Sequence, residues 1–414
     1  MPHPSRARRW VAATVAASAV LLVLAACANG PNTTFDPHTE FGLAEDKLWK
    51  LLLRLGTIVF VLVESLLVYT IIRFRHREGQ PDPEHVHGNT RLEILWTAIP
   101  AVVLAFIAVP TVKTIFETQA KAAPDALQVT VIGHQWWWEF RYPQYGVTTA
   151  NELYLPIGRK VNFALNSVDV IHSFWTPQLG GKRDVIPNHT NYLWFTPDST
   201  LPDTAWNGTC NEYCGTSHAN MKFRVYTVAP AKFASWATHQ ALASTFGVAA
   251  PAASAKPDSL IHPVAQVTTP ADAGYVYPTE KLPDNVIPQT PTPAGLTFTA
   301  GVTGNPDSGM KIYSRSACIG CHTVKGNPSS VGIIGPNLTH VASRHTIAAG
   351  LYPNDTDHLR LWIKNSREMK PGVIMPTLGL GQIDPITHSP VSAGTGGLTD
   401  AQIADIVAYL QQLK

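Results

Sequence analysis

Residues 205–228 read AWNGTCNEYCGTSHANMKFRVYTV, and this segment carries the densest chemistry in the chain. Cys210 and Cys214 stand close together, His218 and Met221 follow, and His172 arrives from an earlier strand-like stretch. Thiolates and a thioether beside imidazoles are the soft donor set that suits copper. A mononuclear blue-copper site takes one cysteine, two histidines and a weak axial methionine. The second cysteine here is placed to bridge two metal atoms, so two thiolates, two imidazoles, a thioether and one backbone carbonyl would complete a binuclear centre. A mixed-valence pair spreads the electron over both atoms, and little rearrangement then accompanies redox change. A Cys210–Cys214 disulfide is the other chemistry open to the pair. A structural zinc site is disfavoured because methionine is a poor zinc ligand.

Working outward, the flanking sequence reads as β structure. Leu127–Ile132, Trp136–Tyr142, Lys160–Leu165, Tyr192–Phe195 and Lys222–Val228 alternate or run apolar between Pro, Gly and Asn clusters. They predict an antiparallel sandwich or barrel of about 100 residues, covering 125–230. A short helix is expected over Pro230–Ser244.

Toward the N-terminus the apolar residues gather in blocks. Arg6, Arg8 and Arg9 precede an apolar run from Trp10 to Ala26, closed by Leu24-Ala25-Ala26-Cys27. This resembles a lipoprotein signal over 1–26 with lipid on Cys27; an uncleaved anchor helix is the alternative. A helix hairpin is expected over 43–118, with membrane spans at about 50–72 and 92–115. Arg73, Arg75, Arg77 and Arg91 crowd the loop between them, whereas 28–46 contains no Lys or Arg. The positive-inside rule places that loop in the cytoplasm and everything after about Phe116 outside. Glu64 lies within the first span, where an ionisable group is functional or paired by default.

Beyond the sandwich, nine prolines fall between Gly247 and Gly295. The stretch 245–295 is therefore expected to be an extended, semi-rigid linker. From 296 to 414 helical patterns return at Ser308–Ser316, Asp355–Arg367 and Thr399–Leu413, predicting a small all-α domain. Within it Cys318-Ile319-Gly320-Cys321-His322 reads as a c-type haem attachment, two thioethers with His322 as proximal ligand. Met310, Met369 and Met375 compete for the distal position. Met375, which precedes Pro376 after a loop, is favoured.

At this point the chain resembles cytochrome c oxidase subunit II over about Leu43–Pro230, and class I cytochromes c over about Gly304–Lys414, including Gly335-Pro336-Asn337-Leu338. Together the two resemblances imply a multidomain protein: a transmembrane two-helix hairpin and an all-β cupredoxin sandwich from the first, and an all-α cytochrome c domain from the second. The first also implies that His172, Cys210, Cys214, His218 and Met221 hold the binuclear copper A centre, with Glu212 contributing its main-chain carbonyl. The Glu212 side chain would also reach a magnesium ion shared with subunit I. In Gly133-His134-Gln135-Trp136-Trp137-Trp138, Trp136 matches the surface that receives electrons. Trp137 stands where the family more often has Tyr, and Trp138 reads as packing. Glu93 matches a position at the mouth of a proton channel in many members; an interfacial carboxylate is its other reading.

The resemblance further implies an aerobic respiratory oxidase in a bacterial plasma membrane. Subunit I is the expected oxygen-reducing, proton-translocating partner, with subunit III beside it, and a cytochrome c or quinol-cytochrome c reductase as donor. The net charge of +2 and the 14% of charged residues point away from nucleic acid. Between Asp125 and Pro230 there are eight Asp or Glu against seven Lys or Arg, so no acidic face for steering a basic donor protein is expected.

Overall fold

The computed structural model describes residues 32–76, 87–119, 125–244 and 274–414, with isolated positions within 10–30 and at Gly79 and Phe246. Cys27, most of the segment 1–26 and residues 247–273 of the expected linker lie outside the described residues.

Helix α1 (Glu40–Arg73) and helix α2 (Thr90–Gln119) are each long and apolar enough to cross a membrane. Thr39 caps α1 by accepting from Gly42 N, with Glu40 in the first turn and Arg73 in the last, as the helix dipole favours. The 34 residues of α1 are more than a bilayer core requires. Its first turn is instead part of the soluble domain. Phe41 is buried in the sandwich core, Thr39 Oγ1 donates to Leu179 O at 2.6 Å, and Glu40 accepts from Thr196 N at 2.8 Å. α2 retains Pro100 and Pro110 inside a continuous helix.

Ten strands form the sandwich: β1 (Leu127–His134), β2 (Trp137–Tyr142), β3 (Val147–Ala150), β4 (Glu152–Pro156), β5 (Val161–Ser167), β6 (His172–Thr176), β7 (Gly180–Val185), β8 (Asn191–Phe195), β9 (Thr204–Cys210) and β10 (Lys222–Val228). One sheet runs β3-β2-β1-β5-β8 and the other β4-β10-β9-β6-β7. Most neighbours are antiparallel, but β1–β5 and β10–β4 pair in parallel, because the chain crosses between the sheets. Trp138, Phe140, Phe163, Phe174 and Phe223 fill the space between them. Helix α3 (Pro230–Gln240) closes one end, stacking Trp236 on Tyr154 with ring centroids 4.6 Å apart. Residues 274–295, assigned from sequence to the linker, are laid along the sandwich. Tyr277 and Val286 are buried in its core cluster, and Arg224 Nε donates to Val286 O at 2.7 Å.

The C-terminal domain is built on α4 (Pro306–Tyr313), the single turn α5 (Cys318–Cys321), a two-stranded ribbon of β11 (Thr346–Ile347) and β12 (Tyr352–Pro353), then α6 (Thr356–Lys364), α7 (Ser366–Met369) and α8 (Asp400–Leu410). Helix α4 crosses α8 at Gly309, where a Cβ would stand 1.9 Å from Asp405 O; only glycine permits that approach. Helix α8 starts on a capping box of Thr399 and Gln402 and turns Ile403, Ile406, Val407 and Leu410 into the core.

Candidate functional site

The copper-type donor set assembles at one end of the sandwich. β9 delivers Cys210, the loop after it carries Cys214 and His218, Met221 stands just before β10, and β6 supplies His172. The two sulfurs are 3.8 Å apart, well beyond disulfide bonding distance, and both thiols are free. His172 Nδ1 lies 3.9 Å from Cys210 Sγ, and His218 Nδ1 lies 3.5 Å from Cys214 Sγ. Met221 Sδ is 3.9 Å from Cys214 Sγ, and the Glu212 carbonyl is 3.3 Å from Cys210 Sγ. All six donors from the sequence reading therefore ring one small space. Its floor is dry: His172 and Met221 are fully buried.

The surroundings orient the ligands. Asp169 Oδ1 sits 2.8 Å from His172 Nε2, which leaves Nδ1 turned toward the sulfurs. Burial lowers the imidazole's proton affinity, but the hydrogen bonds to Asp169 and Cys210 outweigh it and raise the pKa. The hydrogen bond between the thiols holds Cys210 below the usual thiol range and pushes Cys214 up. Two thiolates facing two imidazoles across such distances fit a bridged pair of soft metal ions.

In the C-terminal domain an apolar cavity brings together Cys318, Cys321, His322 and Met375. Met310 and Met369 are not in its lining; Met369 is buried at the end of α7, its carbonyl accepting from Tyr352 OH at 2.9 Å. His322 Nδ1 donates to Pro336 O at 2.8 Å, which leaves Nε2 as the free donor atom. Burial lowers the pKa of this imidazole, favouring the neutral form that ligates metal. Two free thiols, an imidazole and a thioether around an apolar cavity fit a covalently attached haem.

Between the two sites lies Trp136. Its indole Nε1 donates to Cys214 O at 2.9 Å, and Gln135 Nε2 donates to the same carbonyl at 2.7 Å. Gln135, Trp136 and Trp137 also line the haem-type cavity. Gly372, at φ +83°, lays the loop before Met375 on the indole, where a Cβ would stand 3.0 Å from Trp136 Cζ3. Trp137 stacks on His134 with centroids 4.0 Å apart. Trp138 is fully buried against Phe174 and Phe223.

Glu93 sits in the first turn of α2, its N–H donating to Asn89 O at 2.9 Å. Neither Glu93 nor Glu64 approaches the two sites. Sequence reasoning missed Asp169, three residues before His172, and also Glu152, Arg224 and Lys370, which join the domains. Spacing to His172 was a usable signal for Asp169; the others carry none.

Comparison with known proteins matches the chain to cytochrome c oxidase subunit II, transmembrane domain, over residues 44–114. It matches cytochrome c oxidase subunit II, periplasmic domain, over 147–228, and cytochrome c over 306–414. All six copper-type donors fall inside the second range, whereas Trp136 precedes it. Cytochrome c oxidase subunit 2 of Alkalihalophilus pseudofirmus is 30% identical over 363 residues, covering 86% of this chain and 83% of that protein. Cytochrome c oxidase subunit 2 of Bacillus sp. strain PS3 is 31% identical over 356 residues, covering 82% and 80%. Among solved structures, the periplasmic domain of subunit II of the Bradyrhizobium japonicum cytochrome oxidase shares 29% identity with a TM-score of 0.26, covering 28% of this chain and 94% of that one.

Proposed function

Because this chain belongs to the cytochrome c oxidase subunit II family, we propose that it passes electrons from a c-type haem in its own C-terminal domain to a binuclear copper A centre in its sandwich, and on to the haem-copper subunit I that reduces oxygen to water with proton translocation. The chain is a membrane-anchored oxidase subunit with a cytochrome c domain. The observation that carries the finer reading is Trp136, one side chain that lines the haem cavity and hydrogen-bonds the carbonyl of Cys214.

A bound haem, held by His322 and Met375, would supply a one-electron carrier of high potential, and a bound copper pair would supply an acceptor that relaxes little on reduction. The protein's part is positioning. Cys318 and Cys321 anchor the porphyrin, Pro336 O fixes the His322 ring, and Asp169 fixes the His172 ring. Burial of Cys210, Cys214, His172 and Met221 keeps water from the copper ligands. Trp136 then bridges the two sites through a single hydrogen bond.

Near the copper ligands in sequence, Val168 and Ile171 flank Asp169 and His172, and Tyr213 follows Glu212; all three are exposed hydrophobic side chains. They form the face offered to subunit I, where the Glu212 carboxylate would hold a shared magnesium ion. Glu93 stands at the mouth of the proton channel, subunit III joins the assembly, and the soluble domains lie on the outer side of the plasma membrane. Residues 1–26 act as the export signal. A cytochrome c or quinol-cytochrome c reductase supplies the electrons. The reading is tested by metal and haem analysis with an optical spectrum of the purified subunit. About two coppers and one haem per chain, with thiolate-to-copper bands beneath a c-type spectrum, are expected. Haem without copper after reconstitution would overturn it.

A further inference from the structure

The contact between the sandwich and the C-terminal domain is made by buried charged groups outside both ligand sets, one of which, Lys370, also lines the haem-type cavity. Lys370, just past α7, is 2% exposed, and among the described residues its ammonium bonds carbonyls rather than a carboxylate. Its ammonium donates to Trp136 O at 2.6 Å across the domain boundary and to Ala348 O at 3.1 Å within its own domain. Burial pulls its pKa down to about 7, so the site holds this group at a cost that hydrogen bonds must offset. Ala348 and Ala349 adopt φ of 55° and 63°, a conformation that side chains resist, and Gly350 follows at 76°. The three carbonyls this strained turn presents are all taken: Ala348 by Lys370, Ala349 by Lys222 N at 3.2 Å and Gly350 by Arg224 Nη2 at 3.1 Å.

A second grip lies beside the first. Glu152 of β4 is 2% exposed, and its Oε1 accepts from His345 N at 2.7 Å and Thr346 N at 3.0 Å. His345 Nε2 in turn donates to Tyr277 O at 2.6 Å, on the segment laid along the sandwich. Ser217 donates to Pro371 O, and Gly372 rests on the Trp136 indole. Buried, hydrogen-bonded charges on both sides belong to a built interface rather than to a chance encounter.

We propose that Lys370 and Glu152 are positioning residues for the haem-to-copper step: two cross-domain clamps that hold the haem crevice seated on Trp136, so that the C-terminal domain works from a fixed seat instead of swinging on its linker. The proposal rests on the haem-to-copper reading above. In the seated state Trp136 is covered, and a diffusing donor protein reaches the copper only through the haem. Electron transfer depends on relative placement, and a displacement of about 1 Å at a reacting centre can cost about a hundredfold.

The test compares the full, metal- and haem-loaded chain with Lys370→Met and Glu152→Gln by hydrogen exchange and by time-resolved transfer after photoreduction of the haem. Peptides spanning 345–350 and 135–137 should be protected in the unaltered chain and exchange at least tenfold faster in both variants. The transfer rate should fall about tenfold or more in both, and in Glu152→Gln, which lies outside the haem cavity, haem and copper spectra and midpoint potentials should be unchanged. Unaltered protection and rate in both variants would overturn the proposal, as would an unaltered chain whose 345–350 peptide exchanges like an exposed loop. Should Lys370→Met fail to load haem, Glu152→Gln decides, since Glu152 lies outside both ligand sets. A protected chain that passes no electron to copper would instead sink the haem-to-copper reading while leaving the seat itself supported.

Discussion

The copper end and the haem cavity are both metal sites, but they are constructed in opposite ways. Five side chains of the copper set hang from strands, or from the turn between β9 and β10, at the edge of a sandwich core dominated by Trp138, Phe140, Phe163, Phe174 and Phe223. The haem-type cavity takes up much of the middle of its domain and is closed on one side by the sandwich, with Cys318 and Cys321 on a single helical turn, Met375 on a loop, and Gln135, Trp136 and Trp137 across the boundary. A rigid scaffold presents ligands already assembled. A small domain with a hollow middle needs its prosthetic group to complete the core, because buried apolar walls without contacts forfeit packing energy.

The largest effect that follows is on folding. Replacing Cys318 and Cys321 together with alanine should abolish covalent haem and leave the C-terminal domain without a cooperative thermal transition. Cys210→Ser should remove the copper bands yet leave the sandwich a cooperative transition of its own, its midpoint lowered by about 4–8 °C per kcal/mol lost. Calorimetry of both variants decides, and a sandwich that melts with loss of copper would erase the contrast. Next comes Asp169→Asn, which removes the partner of His172 Nε2 and should weaken copper retention about 10–100-fold without altering the haem spectrum. Chelator competition measures it; a haem change of equal size would show that the sites are not independently built.

Gly372→Ala should be smaller. It places a Cβ 3.0 Å from the Trp136 ring at φ +83°, a strain of about 1–3 kcal/mol, read as a lower melting temperature and looser seating. The smallest expected effect is at acid pH. Burial alone would raise the pKa of Asp384, but the N–H groups of Thr387 and Ile386 and the guanidinium of Arg367 outweigh it and hold it at about 2. Its contribution is present above the ordinary carboxylate pKa and is lost as pH falls from about 4 toward about 2. Asp384→Asn should flatten that part of the acid stability curve of the C-terminal domain and leave the sandwich untouched.

The donor groups from Cys210 to Met221 and from Cys318 to His322 stood out because their spacings are short, whereas His172 and Met375 lie far from them in sequence and join them only in the fold. Five strands were read and ten formed, for identifiable reasons. β4 is buried at every position and shows no alternation, while β7 opens on Gly180-Gly181 and reads as a turn. The continuation of α1 into the soluble domain was hidden because a membrane span and the anchoring turn before it share one apolar helix. Least legible was the seat of the C-terminal domain. Lys370 and Trp136 are 234 positions apart, Thr346 and Glu152 are 194 apart, and nothing in either neighbourhood marks a partner.

The central claim is that one chain carries an electron from haem to copper through Trp136. The most direct test photoreduces the haem of the purified, metal-loaded chain and follows both chromophores over a range of protein concentrations. The account requires copper to be reduced as haem is reoxidised, in a first-order step whose rate does not change on dilution. A rate that falls in proportion to concentration, or haem that stays reduced beside oxidised copper, would contradict it.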